Sequence, residues 1–429
     1  MHTVLVPLLV AAVACPPPPP AAEPRADRPR YALNVRIAPS FRTVTGELTV
    51  TFTPNRPTDR LVFRLWPNGP LQRQSGSRLD AGPVTRGGTR LRVQRPNATT
   101  LIVRLGRMLP AESAVTVRVP WRLRMPSGHY DRIARFAGGL RLGTFFPLLA
   151  WDPRRGWVTD PAARILSESS STPAADFDIR VRAPSGVRTV VSGIPVGAGH
   201  WRSEAVRDVA LAVGRFRIAT TTAHAPDPVT IRVALTTGKP DVPLALARHA
   251  LEAHSERYGP YRWPVYTVVV TPDVRNIGIE YPTLIFFGRS NYARLILDHE
   301  TAHQWFYSLV GNDQARDPWL DETLATWAQK RLGSAGRRAP PRIPASVRRH
   351  VGAPMTYWSN LGRWYYYGVY EEGVKALASL HDDAAVDCAL RAYAARQAYS
   401  IAQPGDLLDE LNRVIPGAER RLAAWGIQR

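Results

Sequence analysis

The sequence predicts two folded parts in series: an N-terminal antiparallel β-sandwich, then an α+β, mainly helical domain that carries the chemistry. Three observations lead to this reading. The first half alternates apolar and polar residues with period two, broken by turn signals. After about Thr222 the pattern changes to helical stretches with a few apolar strands between them. The 429 residues, 45% hydrophobic and 21% charged, suffice for two parts with a core each.

Residues 1–14 read as an export signal. The apolar run 4–14 has 11 residues, too few to span a bilayer, and ends in Ala12-Val13-Ala14, a small-residue cleavage pattern. Cys15 follows at once, as in a bacterial lipobox, so lipidation of Cys15 and plain secretion both stay open. Either one implies export, free or lipid-anchored on the outer face of a bacterial cell membrane. Residues 15–30 read as a Pro-rich linker in which Pro16 to Pro20 form a stiff spacer. With Cys15 at the export segment and Cys388 in an apolar helical stretch, no internal disulfide is expected.

Residues 31–222 read as the β-sandwich. Leu48, Val50 and Phe52 alternate with Thr49, Thr51 and Thr53; Leu61, Phe63 and Leu65 alternate with Val62 and Arg64; Leu101, Val103 and Leu105 repeat the pattern. Pro39-Ser40, Pro67-Asn68-Gly69 and Gly87-Gly88 punctuate the runs. Residues 223–429 read as the second part, with a helix near 242–258, strands at 266–270 and about 283–287, and helices from 291 almost to the end. A Gly/Pro/Arg-rich loop interrupts them at 333–344.

The net charge of +21 is nearly all arginine; lysine is rare, as at Lys239, Lys330 and Lys375. The arginines are scattered, and no dense basic run with interleaved aromatics occurs, so nucleic acid is not an expected partner. A weak pull toward anionic surfaces or acidic peptides is the expected consequence.

The chemistry concentrates in His299-Glu300-Thr301-Ala302-His303. Four residues apart on a helix, His299 and His303 face one way and can share one ion. Ser290 or Asn291 can cap that helix, the stripe Ile296, His299, His303, Phe306 and Val310 extends it, and Gly311 can end it. Two imidazoles leave room on zinc for a third ligand and a water. Glu322, eighteen residues beyond His303, is the candidate. Asp317-Pro318 opens a second helix, and a helix hairpin would carry Glu322 back beside the histidines. Glu300, next to His299, would stand at the rim and take a proton from water.

These segments resemble the aminopeptidase N-like family of zinc metallopeptidases, gluzincins whose pattern is H-E-x-x-H, eighteen residues, then E. The Gln304-Trp305-Phe306 tail and Trp319-Leu320-Asp321-Glu322 look like the family's two helices, with Thr323 where Gly is usual. Gly278-Ile279-Glu280-Tyr281-Pro282 is similar to the family's G-x-M-E-N, with Tyr281 in place of Asn. Val369-Tyr370-Glu371-Glu372-Gly373 is similar to its Y-E-K-G-type motif.

The resemblance implies a thermolysin-like catalytic domain, one zinc ion held by His299, His303 and Glu322, and Glu300 as base then acid. It also implies that Tyr370 donates to the oxyanion and that Glu280 grips the free α-amino group of a peptide, with a second acid or Gln from the β-sandwich. Gly278 would let substrate backbone approach closely. The expected activity is removal of N-terminal residues by a monomer. The large C-terminal helical domain of many members does not occur before Arg429, so a more open cleft is expected. A metalloendopeptidase with the same zinc site, or a non-catalytic peptide-binding surface protein of the same fold, are the alternatives.

Overall fold

The computed structural model describes residues 15–127, 129–130, 132–165, 171–333 and 342–429. The expected export signal, residues 1–14, and most of the loop 333–344 lie outside them.

In the first half, the period-two rows become buried faces of strands. Leu48, Val50 and Phe52 on Thr43–Phe52, Leu61 and Phe63 on Thr58–Arg64, and Leu101, Val103 and Leu105 on Thr100–Leu109 are at most 5% exposed. The first of these strands lies in a nine-stranded sheet and the other two in a four-stranded sheet. Their apolar residues share one core with Trp121, Phe145, Phe146 and Phe177. One pair departs from the expected antiparallel pattern: Arg30–Ile37 runs parallel to Ala175–Arg182. A further five-stranded sheet includes Ile133–Phe136 and Gly139–Gly143. From it and the residue before it, Arg141 and Arg132 reach acids of the second half, Asp273 at 2.7 Å and Glu280 at 2.5 Å.

The second half begins with another five-stranded sheet, ordered Arg217–His224, Pro228–Leu235, Val265–Arg275, Leu284–Arg289 and Gly278–Tyr281. The expected boundary at residue 222 therefore falls inside a strand that pairs with this sheet. Its inner strands are parallel and densely apolar, as a sheet covered on both faces requires. Gly278–Tyr281 is an edge strand, antiparallel to Leu284–Arg289. Five helices matter for the site and its support: α1 (Asp241–Tyr258), α2 (Ala293–Ala302), α3 (Trp319–Arg331), α4 (Glu372–Ala378) and α5 (Asp383–Arg396).

The ends of α2 and α3 differ from the sequence-based expectation. Ser290 Oγ accepts from the Tyr292 amide at 2.9 Å, which orders the loop before α2 and caps no helical donor. The helix stops at Ala302, not near Val310. Beyond it the chain loosens into turns with wide bonds, Ser308 N to His303 O at 2.9 Å and Val310 N to Trp305 O at 3.0 Å. The cause is the motif's own tail. Gln304 donates to Tyr281 O at 3.0 Å and accepts from Thr283 N at 2.9 Å, while Trp305 Nε1 donates to Gly259 O at 2.9 Å. Both side chains are drawn to the sheet and to the end of α1, which a straight helix would not allow. Asp317 does not cap α3 either; its carboxylate faces Arg155 at 4.0 Å, and Pro318 stands at the cap position.

The cysteine expectation is corrected. Cys15 and Cys388 form a disulfide, with Cα atoms 5.5 Å apart. The Pro-rich segment does not project as a spacer but lies against the second half: Pro18, Pro19 and Ala21 line a cavity with Tyr258, Leu309 and Ala394, and Ala22 N donates to Ala395 O at 2.9 Å. Proximity created by that return is what pairs two cysteines 373 positions apart.

His254 links α1 to the histidine helix. Its Nε2 donates to the Asp298 carbonyl at 2.8 Å, and it is fully buried. Burial pushes its pKa down to about 4, against 6.5 for the free side chain. Between those values the unfolded chain binds the extra proton, so stability is complete above pH 6.5 and falls as the pH drops toward 4. We expect roughly 3 kcal/mol to be lost across that window. Urea midpoints at several pH values check this: a His254→Gln variant should lack that component, and an equal acid loss in both proteins would refute it.

Candidate metal centre and active site

Helix α2 and helix α3 pack as the expected hairpin and bring three side chains together. His299 Nε2 and His303 Nε2 lie 3.2 Å apart, and Glu322 Oε2 lies 3.3 and 3.4 Å from them. All three residues are buried. Despite these short approaches, Glu322 Oε2 has no well-aligned hydrogen bond. Ligand atoms roughly 2.0–2.1 Å from a tetrahedral zinc stand about 3.3–3.4 Å from one another. The spacing and the orphaned oxygen therefore fit one zinc-sized cation. His303 Nδ1 donates to the Phe306 carbonyl at 3.0 Å, which leaves Nε2 as the lone-pair atom.

The electrostatics arise from burial and mutual proximity. Burial alone would raise Glu322, but the close approach of His299 and His303 outweighs it and holds the carboxyl well below its usual range. Burial lowers His299. It would lower His303 too, but the nearby Glu322 carboxylate pushes that imidazole up to about 10. A proton there competes with a cation for Nε2.

Glu300 is 6% exposed, and its Oε2 has no hydrogen bond partner among the described residues. Burial, with the nearby charges of Glu280 and Glu322, pushes its pKa up to about 8, against the pull of His303. Ligand-capable atoms of Glu280, Glu300 and His303 lie within 4.8 Å of one another, so the two acids stand together beside the histidine pair.

Gly278 lies against the Glu300 side chain. A Cβ there would come 2.2 Å from Glu300 Cγ and 2.4 Å from Cδ. The bare backbone makes room for the Glu300 side chain.

From the first half of the chain, the described side chain that bonds Glu280 is an arginine where an acid or Gln was expected. Glu280 Oε1 accepts from Arg132 Nη2 at 2.5 Å, and Arg132 Nη1 also donates to the Glu280 carbonyl at 3.2 Å. Both side chains are buried, at 4% and 7% exposure. Arg132 lies 148 positions away, and no local pattern in the sequence marks it. Tyr281, where the family pattern has Asn, points the other way along the strand; its phenol sits in the space left by Gly143 and shares a hydrogen bond with Thr144 at 3.1 Å.

Tyr370 lies over His299, ring centroids 5.7 Å apart and planes 15° from parallel, close enough to Glu322 to feel its charge. Burial and the Glu322 charge raise its pKa well above 10, so it remains a proton-bearing donor. It sits in a π-helical turn, Tyr366–Glu371, a geometry that recurs at functional sites. All seven residues singled out in the sequence thus gather around one point, with Arg132 added from the first half of the chain.

Comparison with known proteins agrees with this picture. No family model matches the chain. Aminopeptidase RNPEPL1 from Mus musculus is 39% identical over 88 residues, 19% of this chain and 12% of that protein. Tricorn protease-interacting factor F2 from Thermoplasma acidophilum is 30% identical over 131 residues, 27% of this chain and 16% of that protein. The chain thus matches well under two thirds of the length of these relatives. The crystal structure of an M1 zinc metallopeptidase from Deinococcus radiodurans superposes with a TM-score of 0.68 at 22% identity, over 94% of each chain. A mutant of that protein bound to a Tyr-Ser-Ala substrate gives a TM-score of 0.69 at 22% identity, over 94% of each chain. The fold is that of the M1 zinc metallopeptidases, and the resemblance to aminopeptidase N-like enzymes is borne out.

Proposed function

We propose that this protein is a zinc metallopeptidase that removes N-terminal residues from peptides. The observation that carries the proposal is the convergence of His299, His303 and Glu322 at the mutual spacing of zinc ligands, with Glu300 buried beside them. In this reading those three residues hold one zinc ion. When bound, zinc supplies Lewis acidity to the scissile carbonyl and lowers the pKa of attacking water to about 7. Glu300 takes a proton from that water and returns it to the leaving amine; burial has brought its pKa near the operating range for both transfers. Tyr370 donates a hydrogen bond to the oxygen on which negative charge develops. Glu280, with Oε1 engaged by Arg132, offers its remaining oxygen to the substrate α-ammonium.

The Arg132 contact favours a second reading. A guanidinium at 2.5 Å neutralises Glu280 and weakens its pull on an ammonium, which suits an endopeptidase with the same zinc chemistry. Chelation should abolish hydrolysis of an aminoacyl chromogenic amide, and added zinc should restore it. If Glu280 anchors the amine, the N-acetylated amide should be cut on the order of 10²-fold more slowly. Equal rates would establish the second reading, and failure of zinc to restore any activity would favour a peptide-binding protein without turnover.

For the whole chain, we propose an N-terminal β-sandwich that supports a thermolysin-like, mainly helical catalytic domain, to which the strand Arg217–His224 already belongs. The protein acts as a monomer after export and removal of residues 1–14. The Cys15–Cys388 disulfide supports an oxidising compartment and secretion rather than lipid anchoring.

A further inference from the structure

Thr323 stands where the family pattern has Gly, directly after Glu322 on α3, and is fully buried. Its hydroxyl donates to the Val369 carbonyl at 2.7 Å. Val369 directly precedes Tyr370. The bond therefore joins two segments 46 positions apart, each at the residue next to a site group. On the far side, a Cβ at Gly373 would come within 2.1 Å of Thr323 Oγ1 and 2.6 Å of its Cγ2. The bare Gly373 is what lets the threonine seat.

The accepting carbonyl belongs to the π-helical turn Tyr366–Glu371. Such turns are rare because an α-turn is the better-bonded alternative, so a π-turn persists where its surroundings hold it. From α3, Thr323 bonds the backbone of this turn beside Tyr370, while Lys330 meets the Glu371 side chain at its end at 3.0 Å. If the turn relaxed toward α geometry, Tyr370 would rotate relative to Glu322 and His299.

We infer that Thr323 is a positioning residue: its bond to Val369 sets where the Tyr370 phenol stands relative to Glu322. The inference rests on the peptidase reading and assigns Thr323 no contact with substrate. Tyr370 acts on charge present only in the transition state, so displacing it should lower kcat and leave KM unchanged.

The test uses the zinc-loaded full chain with Thr323→Val, which keeps the shape and removes the hydroxyl, and Thr323→Ser, which keeps the hydroxyl. Kinetics are read together with zinc content, thermal midpoint and affinity for a phosphinic peptide that mimics the tetrahedral intermediate. Thr323→Val should lower kcat and phosphinate affinity together by about 10-fold, about 1.4 kcal/mol, at unchanged KM and zinc content. Thr323→Ser should restore both. Gly373→Ala, which crowds the same hydroxyl from the other side, should reproduce the loss even where Thr323→Val folds poorly. Unchanged kcat and phosphinate affinity in Thr323→Val would overturn the inference alone, as would losses that only track zinc content or the thermal midpoint. A wild type without zinc-dependent hydrolysis would overturn the peptidase reading and this inference with it.

Discussion

Glu300→Gln should keep zinc bound and lower kcat by about 10²–10⁴-fold, the range for a positioned general base. The replacement has the same length, so it fits the space beside Gly278 that the native carboxyl fills. The converging atoms of His299, His303 and Glu322 do not depend on it. What the amide lacks is proton affinity. Burial has given Glu300 a pKa near 8, and a carboxamide has nothing comparable. Metal analysis alongside turnover separates the two functions. Near-normal turnover in the zinc-loaded variant would remove Glu300 from its role.

Gly278→Ala should have the next largest effect, for a steric reason. The added methyl would come 2.2 Å from Glu300 Cγ, 2.4 Å from Cδ and 2.6 Å from Oε1. The strand cannot easily retreat, because Gly278 pairs with Phe287 and the neighbouring Ile279 and Glu280 are buried. The Glu300 side chain must move instead. A displacement near 1 Å at a reacting group costs on the order of 10²-fold in rate. The expected result is a fall in kcat of that size with zinc content intact. A variant with unchanged kcat would show that Glu300 can act from another position, and that the close fit has no catalytic consequence.

The candidate site was legible where its logic is local. His299 and His303 share a face because a helix repeats every 3.6 residues, and Glu322 returns because a short connection between helices makes a hairpin. The strands of the first half were legible for the same reason, since alternation in sequence is alternation across a sheet. Errors came where side chains compete with the backbone pattern. The stripe through Phe306 and Val310 suggested a longer helix, but Gln304 and Trp305 bond to Tyr281, Thr283 and Gly259 and end α2 early. Asp317-Pro318 suggested a capped start, but the Asp317 carboxylate faces Arg155.

Sequence alone determined that His299, His303, Glu300 and Glu322 come together and that a strand-rich first half precedes the helices, because each is written in spacing along helices and strands. Tertiary structure alone decided that Arg132 engages Glu280, that Cys15 meets Cys388, that Gly278 houses Glu300 and that Thr323 holds the turn of Tyr370. These contacts join residues from 22 to 373 positions apart. No helical or strand period relates such positions; only the packing of whole elements brings them together, and that packing is set by the shape of the shared core.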